Sequence, residues 1–191
     1  ASFTSQGGSI VFRSEVLESD RDFSAAVNGI AEAKPDAVLI PNQELLSARI
    51  LSSLLKAGIR GPFLGGDGWG NVGEEFFSVL GEGSIEGYSL SHWHSDLHSK
   101  NSDRFIREYI AAEKKAPNDT AVLAYDATLL FVEALIKAKG LDREALEVSL
   151  QALRSFEGIT GKFRFRSGRA PAKDLVLLRA GKGHFRVEGK L

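Results

Sequence analysis

Between residues 9 and 64 the spacing of apolar residues switches back and forth between strand and helix, and this alternation constrains the fold more than any other feature of the chain. Ser9-Ile10-Val11-Phe12-Arg13 follows Gly7-Gly8 and clusters β-branched and aromatic residues, which predicts a buried strand entered through a flexible turn. Phe23, Val27 and Ile30 then recur at helical spacing up to Lys34-Pro35, where proline ends the helix. Asp36 to Ile40 is a short apolar run of the length expected for a strand covered on both faces, and Pro41-Asn42 closes it. Leu45, Leu46, Ile50, Leu51, Leu54 and Leu55 return to helical spacing, with Gly58 placed to cap that helix, and Pro62-Phe63-Leu64 is a third strand. Strands alternating with helices over short connections lie parallel in one sheet with the helices packed on it, so an α/β fold is predicted.

The pattern changes after Gly87-Tyr88-Ser89-Leu90. A polar, histidine-rich stretch from Ser91 to Asn101 leads into helices predicted over 102–115, 120–138 and 143–153, with no strand among them. Phe163-Arg164-Phe165, Leu175 to Leu178 and His184 to Val187, separated by turns at Ser167-Gly168 and Gly181-Lys182-Gly183, predict a closing β-meander.

Composition removes several classes of function. The chain has 24 Lys and Arg against 25 Asp and Glu, so no excess of positive charge favours nucleic acid or a membrane surface. It has no cysteine, which excludes disulfides, thiolate chemistry and cysteine metal sites together. No run of about 18 apolar residues is present to span a bilayer, and no signal segment stands at the start. The chain opens at Ala1 and contains no methionine, so a processed, cut or partial chain is expected.

Motif searches are negative for catalysis. Gly-x-Ser-x-Gly, Walker and His-Glu-x-x-His sequences are absent, and the glycine-rich run from Gly65 lacks dinucleotide-fingerprint spacing. His92, His94 and His98, with Asp96 among them, have metal-like content, but no spaced acid or cysteine completes a ligand set; a solvated linker is the favoured reading. Arg164, Arg166 and Arg169 form a basic strip best read as a solvated face. No metal and no cofactor are expected.

Open parallel sheets bind ligands beyond the carboxyl ends of their strands. Two such loops are visible, Asn42-Gln43-Glu44 after the second predicted strand and Gly65-Gly66-Asp67-Gly68-Trp69 after the third. A carboxylate held among glycines can approach a ligand closely, which singles out Asp67; a turn aspartate bonding its own backbone is the competing reading. Trp69 is equally well read as a face laid across a ligand or as a core plug under the loop. Asp126, after Tyr125 on a helical stretch, reads as structural.

Taken in order, Asp22-Phe23-Ser24, Ala33-Lys34-Pro35-Asp36-Ala37-Val38, Pro62-Phe63-Leu64-Gly65-Gly66-Asp67-Gly68-Trp69, Phe105 to Tyr109, Ala124-Tyr125-Asp126-Ala127 and Phe156-Glu157-Gly158-Ile159-Thr160-Gly161 resemble the type I periplasmic binding proteins of the leucine, isoleucine and valine class. The resemblance covers nearly the whole chain but only about the second half of the family, Ala1-Ser2-Phe3 matching the end of a helix in the middle of such proteins. It implies a Rossmann-like parallel sheet with flanking helices, residues 1–90 and 158–191 forming the second lobe, and 91–157 a helical segment of the first lobe whose own sheet is missing. The apolar faces of that segment, at Val122, Leu129, Leu130, Val132 and Leu135, would then lack the sheet they bury against. A domain-swapped homodimer, or folding back on the remaining lobe, is expected.

By the same resemblance the protein is a periplasmic or extracellular solute-binding protein, not an enzyme, which captures a small polar ligand, an amino acid or related amine, for the permease of an ABC importer. Asp67 takes the place of the acid that receives the ligand's ammonium group. Gln43, Glu44 and Thr120 fall where amino-acid binders of the family often carry aromatic residues, which implies a more polar pocket than one for leucine or valine. A sensor domain with the same fold, or less favourably a Rossmann-like enzyme, is the alternative; a fused signalling segment or nucleotide-dependent turnover would distinguish them.

Overall fold

The computed structural model of the chain describes residues 2–69, 74–81, 85–165 and 170–191. Its packing divides into two units, one of Ala1–Ser89 with Arg179–Phe185 and one of Leu90–Leu178 with Arg186–Leu191.

In the first unit, helix α1 (Ser24–Ala33) starts where the Asp22 carboxylate accepts the Ser24 N–H at 2.9 Å. Hydrogen bonds from the Ser24 backbone and hydroxyl hold that carboxyl below its usual range. The helix stops at Lys34, whose left-handed backbone (φ 47°) precedes Pro35. Strand β1 (Val38–Ile40), helix α2 (Glu44–Lys56) and strand β2 (Phe63–Gly65) follow, and β1 pairs parallel with β2 in the register Val38↔Phe63, Leu39↔Leu64, Ile40↔Gly65. α2 turns Leu46, Ile50, Leu51 and Leu54 inward. Leu51 and Leu54 are fully buried, which stabilises the unit by about 1.5–3 kcal/mol each. Gly58 supplies the positive φ of 81° that turns the chain after α2.

Helix α3 (Glu74–Leu80) packs on α2, and strand β3 (Gly87–Ser91) pairs parallel with β2 through Phe63↔Gly87 and Leu64↔Tyr88. The inward positions of β3 are Gly87, Ser89 and Ser91, so the strand shows no apolar alternation and reads as a boundary in the sequence.

One predicted strand does not form. Residues 9–13 belong to no helix or strand, none of residues 9–16 makes a backbone hydrogen bond to another described residue, and Ile10 and Val11 are 46% and 55% exposed. The residue types suit a strand; a hydrogen-bonding neighbour is what the segment lacks.

In the second unit, helices α4 (Lys100–Glu113), α5 (Asp119–Ala138) and α6 (Arg143–Ala152) are each N-capped by a side chain. Ser99, Asn118 and Asp142 accept the N–H groups of Ser102, Ala121 and Ala145 at 3.1, 2.9 and 2.8 Å. Trp93, Phe105 and Val122 form a buried cluster with Tyr109 and Tyr125 packed on it. Val122 is therefore fully buried, with Trp93 and the α4 residue Phe105 as its neighbours; Leu130 and Leu135 are half-buried, and Leu129 and Val132 stay exposed beside Phe131 and Ile136.

The closing meander is corrected as well. β4 (Ser155–Gly158) and β5 (Gly161–Arg164) form an antiparallel two-stranded sheet of their own, whereas β6 (Val176–Ala180) and β7 (Phe185–Lys190) join the main sheet in the order β1-β2-β3-β6-β7. The hairpin stays separate because its turn is hydrogen-bonded to α5 through Asp126. The Ser167-Gly168 turn and the strip residues Arg166 and Arg169 lie outside the described residues; Arg164 is exposed, with its guanidinium 3.4 Å from Asp174.

Candidate ligand site

Because Ile40 is level with Gly65 in the parallel pair, the loops leaving β1 and β2 emerge side by side from the same end of the sheet. They touch. A Cβ added at Gly68 would stand 2.9 Å from the Asn42 carbonyl oxygen and one at Gly66 would stand 3.9 Å from the Pro41 Cα, so glycine at 68 is what permits the approach. Ser47, fully buried in the first turns of α2, fixes the other loop: its N–H donates to the Gln43 carbonyl at 2.9 Å and its hydroxyl to the Asn42 carbonyl at 2.9 Å. Ser47 has no place in the sequence reading; a serine early in an apolar helix, able to bond back to the residues before it, is the signal that could have found it.

The predicted site residues fall into three environments. Asp67, first residue of a short 3-10 turn (Asp67–Trp69), is exposed, and its carboxylate makes no hydrogen bond or ion pair with any described residue. Gln43, exposed and extended at the head of α2, leaves its side chain uninvolved in capping, and Glu44 is half-buried in the first turn. Thr120 belongs to the second unit, exposed in the first turn of α5, and is no part of the loop pair.

Trp69 is fully buried beneath the loop. Its ring packs on Phe76 at 5.6 Å and Phe185 at 6.4 Å between centroids and takes the space a Cβ on Gly65 would need, while the Trp69 backbone N–H donates to the Gly66 carbonyl at 3.2 Å and closes the turn. Of the two readings the sequence left open, this is the core plug.

Two of the three linker histidines are paired locally. His94 Nδ1 lies 3.2 Å from the Asp96 N–H and 3.4 Å from its carboxylate, and His98 Nδ1 lies 3.0 Å from Asp103. Among the described residues no three His, Asp or Glu side chains are grouped to hold a metal ion.

The family model described as periplasmic binding protein matches residues 1–184. The chain belongs to the periplasmic binding protein family. Its fold superposes on a leucine binding protein, LivK, from Thermotoga maritima with a TM-score of 0.89 and 25% identity, covering 99% of this chain and 53% of that one. It also matches LivJ, a branched-chain amino acid transporter substrate binding protein from Streptococcus pneumoniae in complex with isoleucine, at 0.78 and 26% identity over 92% and 49% of the two chains. An ABC transporter solute binding protein from R. palustris in complex with benzoate shares the fold at 0.83 and 23% identity over 98% and 52%. The chain thus spans about half the length of these solved relatives. No curated protein matches it significantly in sequence. The α/β fold and the family resemblance read from the sequence are both borne out.

In the second unit of this periplasmic binding protein chain, several buried polar groups hold elements together. Asp126 Oδ1 accepts the Ile159 N–H at 2.7 Å, and Oδ2 accepts the Thr160 N–H and hydroxyl at 2.9 and 2.6 Å. A Cβ on Gly158 would collide with this carboxylate, which explains glycine at that point of the Phe156 to Gly161 motif. Ser91 Oγ stands 2.7 Å from the Trp93 carbonyl and 3.1 Å from Asp119. The half-buried Lys173 donates to the His92 carbonyl; burial pushes its ammonium below the usual lysine range, with Asp126 and Asp174 opposing that shift.

Proposed function

We propose that this chain is the ligand-binding part of a periplasmic or extracellular solute-binding protein that captures a small polar ligand, an amino acid or related amine, for the permease of an ABC importer. The observation that carries this reading is the exposed Asp67 carboxylate, uncommitted to any described residue, on a loop at the carboxyl end of a parallel strand and in contact with the neighbouring loop. An ammonium group placed there donates a charge-assisted hydrogen bond to the carboxylate. Gly66 and Gly68 keep the surroundings clear of side chains, Gln43 and Glu44 make the rim polar, and Trp69 holds the loop from below. Binding of this kind needs no bond making, in keeping with relatives described as binding proteins for leucine and isoleucine.

Titration calorimetry of the chain with amino acids, and with the corresponding carboxylic acids that lack the amine, tests the proposal. Asp67→Ala is expected to weaken amine ligands by about 1.5–3 kcal/mol, roughly 10- to 150-fold in Kd, with no effect on the amine-free acids. Equal affinities for both proteins would remove Asp67 from the site.

A further inference from the structure

Ser47 is fully buried in α2 beside Leu46, Ala48, Ile50 and Leu51, where alanine would satisfy the packing as it does at Ala48. A hydroxyl in such a place is tolerated when a hydrogen bond offsets its desolvation. The bond that Ser47 makes reaches out of the helix: its hydroxyl donates at 2.9 Å to the carbonyl of Asn42, which lies before α2 begins. Ser53 of the same helix is the contrast, its hydroxyl donating at 3.0 Å to Arg49 within α2.

The same Asn42 carbonyl is what the second loop rests against. A Cβ on Gly68 would stand 2.9 Å from that oxygen and 3.5 Å from the Gln43 Cα, so the two loops meet with no room to spare. Their starting points are fixed by the pairing of Ile40 with Gly65. The turn that carries Asp67 is held from below by the buried Trp69, whose backbone N–H closes it on the Gly66 carbonyl, and from the side by Asn42. Without the Ser47 hydroxyl the Asn42 carbonyl turns toward another donor, and its contact with Gly68 passes the movement to Asp67, the adjoining residue.

We propose that Ser47 is a positioning residue for amine recognition: through the Asn42 carbonyl it sets where the Asp67 carboxylate stands, while being too deeply buried to touch a ligand itself. The inference rests on the reading of Asp67 as the ammonium acceptor. A recognition group must be held to within about 0.5 Å by the residues that support it, so a small shift of the Asp67 turn weakens the bond to an ammonium and spares contacts made by the rest of the ligand.

Two readouts on the 191-residue chain test this, with Ser47→Ala compared against Ser53→Ala. Without ligand, ¹H–¹⁵N spectra of Ser47→Ala are expected to show the amides of Asp67 and Gly68 displaced together with those of Asn42 and Gln43, and Ser53→Ala to leave all four in place. In titration calorimetry Ser47→Ala is expected to weaken amino acids about 5- to 10-fold and the matching amine-free acids less than about 2-fold, and to add nothing once Asp67→Ala is present. Gly68→Ala keeps the hydroxyl and forces the loops apart; it is expected to lose the same preference and decides the matter if Ser47→Ala does not fold. Displacements confined to residues 42–47, an equal loss for both classes of ligand, or a loss that persists beside Asp67→Ala would overturn the proposal. Should the unaltered chain take up no amino acid, the proposed function falls, and the ligand-free displacements alone decide whether Ser47 sets the Asp67 turn.

Discussion

Trp69→Ala is expected to lower the stability of the chain by about 3–5 kcal/mol, read as a fall in the urea midpoint. The ring is fully buried against Phe76 and Phe185, and removing it leaves a cavity that the sheet on one side and α3 on the other cannot close by small movements. Trp69→Phe keeps most of that volume and is expected to cost less than half as much. The comparison decides between core plug and ligand platform: a platform residue would lose ligand affinity on truncation and leave the midpoint almost unchanged.

Asp126→Ala is expected to cost about 3–5 kcal/mol, because three donors in the β4–β5 turn lose their acceptor in a buried place. Asp126→Asn sharpens the test. It preserves shape, yet only one of its two terminal atoms accepts hydrogen bonds, so an amide hydrogen must face a donor that a carboxylate oxygen now satisfies. Asparagine is therefore expected to be almost as damaging as alanine, measured by thermal unfolding. A near-neutral Asn variant would mean that packing, not acceptance of these bonds, is what Asp126 supplies.

The stretch from Asp36 to Gly65 was legible because each of its signals is local. β-branched and apolar runs of strand length, a leucine stripe at helical period, and Pro41 and Gly58 as punctuation settle β1, α2 and β2 without reference to the rest of the chain. Residues 9–13 carry the same local signal but form no strand, since a strand also needs a neighbour and propensity does not report one. β3 was passed over for the opposite reason: Ser89 and Ser91 are buried polar residues, so the strand exists without an apolar alternation.

The candidate site was legible as a pair of loops and not as an arrangement. Glycines around Asp67 announce a close approach, but that it is Gly68 meeting the Asn42 carbonyl depends on the register of β1 and β2. Trp69 was undecidable because a ring under a loop and a ring over a ligand have the same sequence. The link from Asp126 to Thr160 spans 34 positions, beyond the reach of any spacing rule.

The most direct test of an amine site at the two loops is a two-dimensional ¹H–¹⁵N nuclear magnetic resonance titration of the chain with amino acids, repeated on Asp67→Asn. Saturable shifts concentrated at residues 42–44 and 65–69, absent for the matching amine-free acids and lost in Asp67→Asn, are the predicted result. Shifts centred elsewhere, or the same shifts in Asp67→Asn, would contradict it.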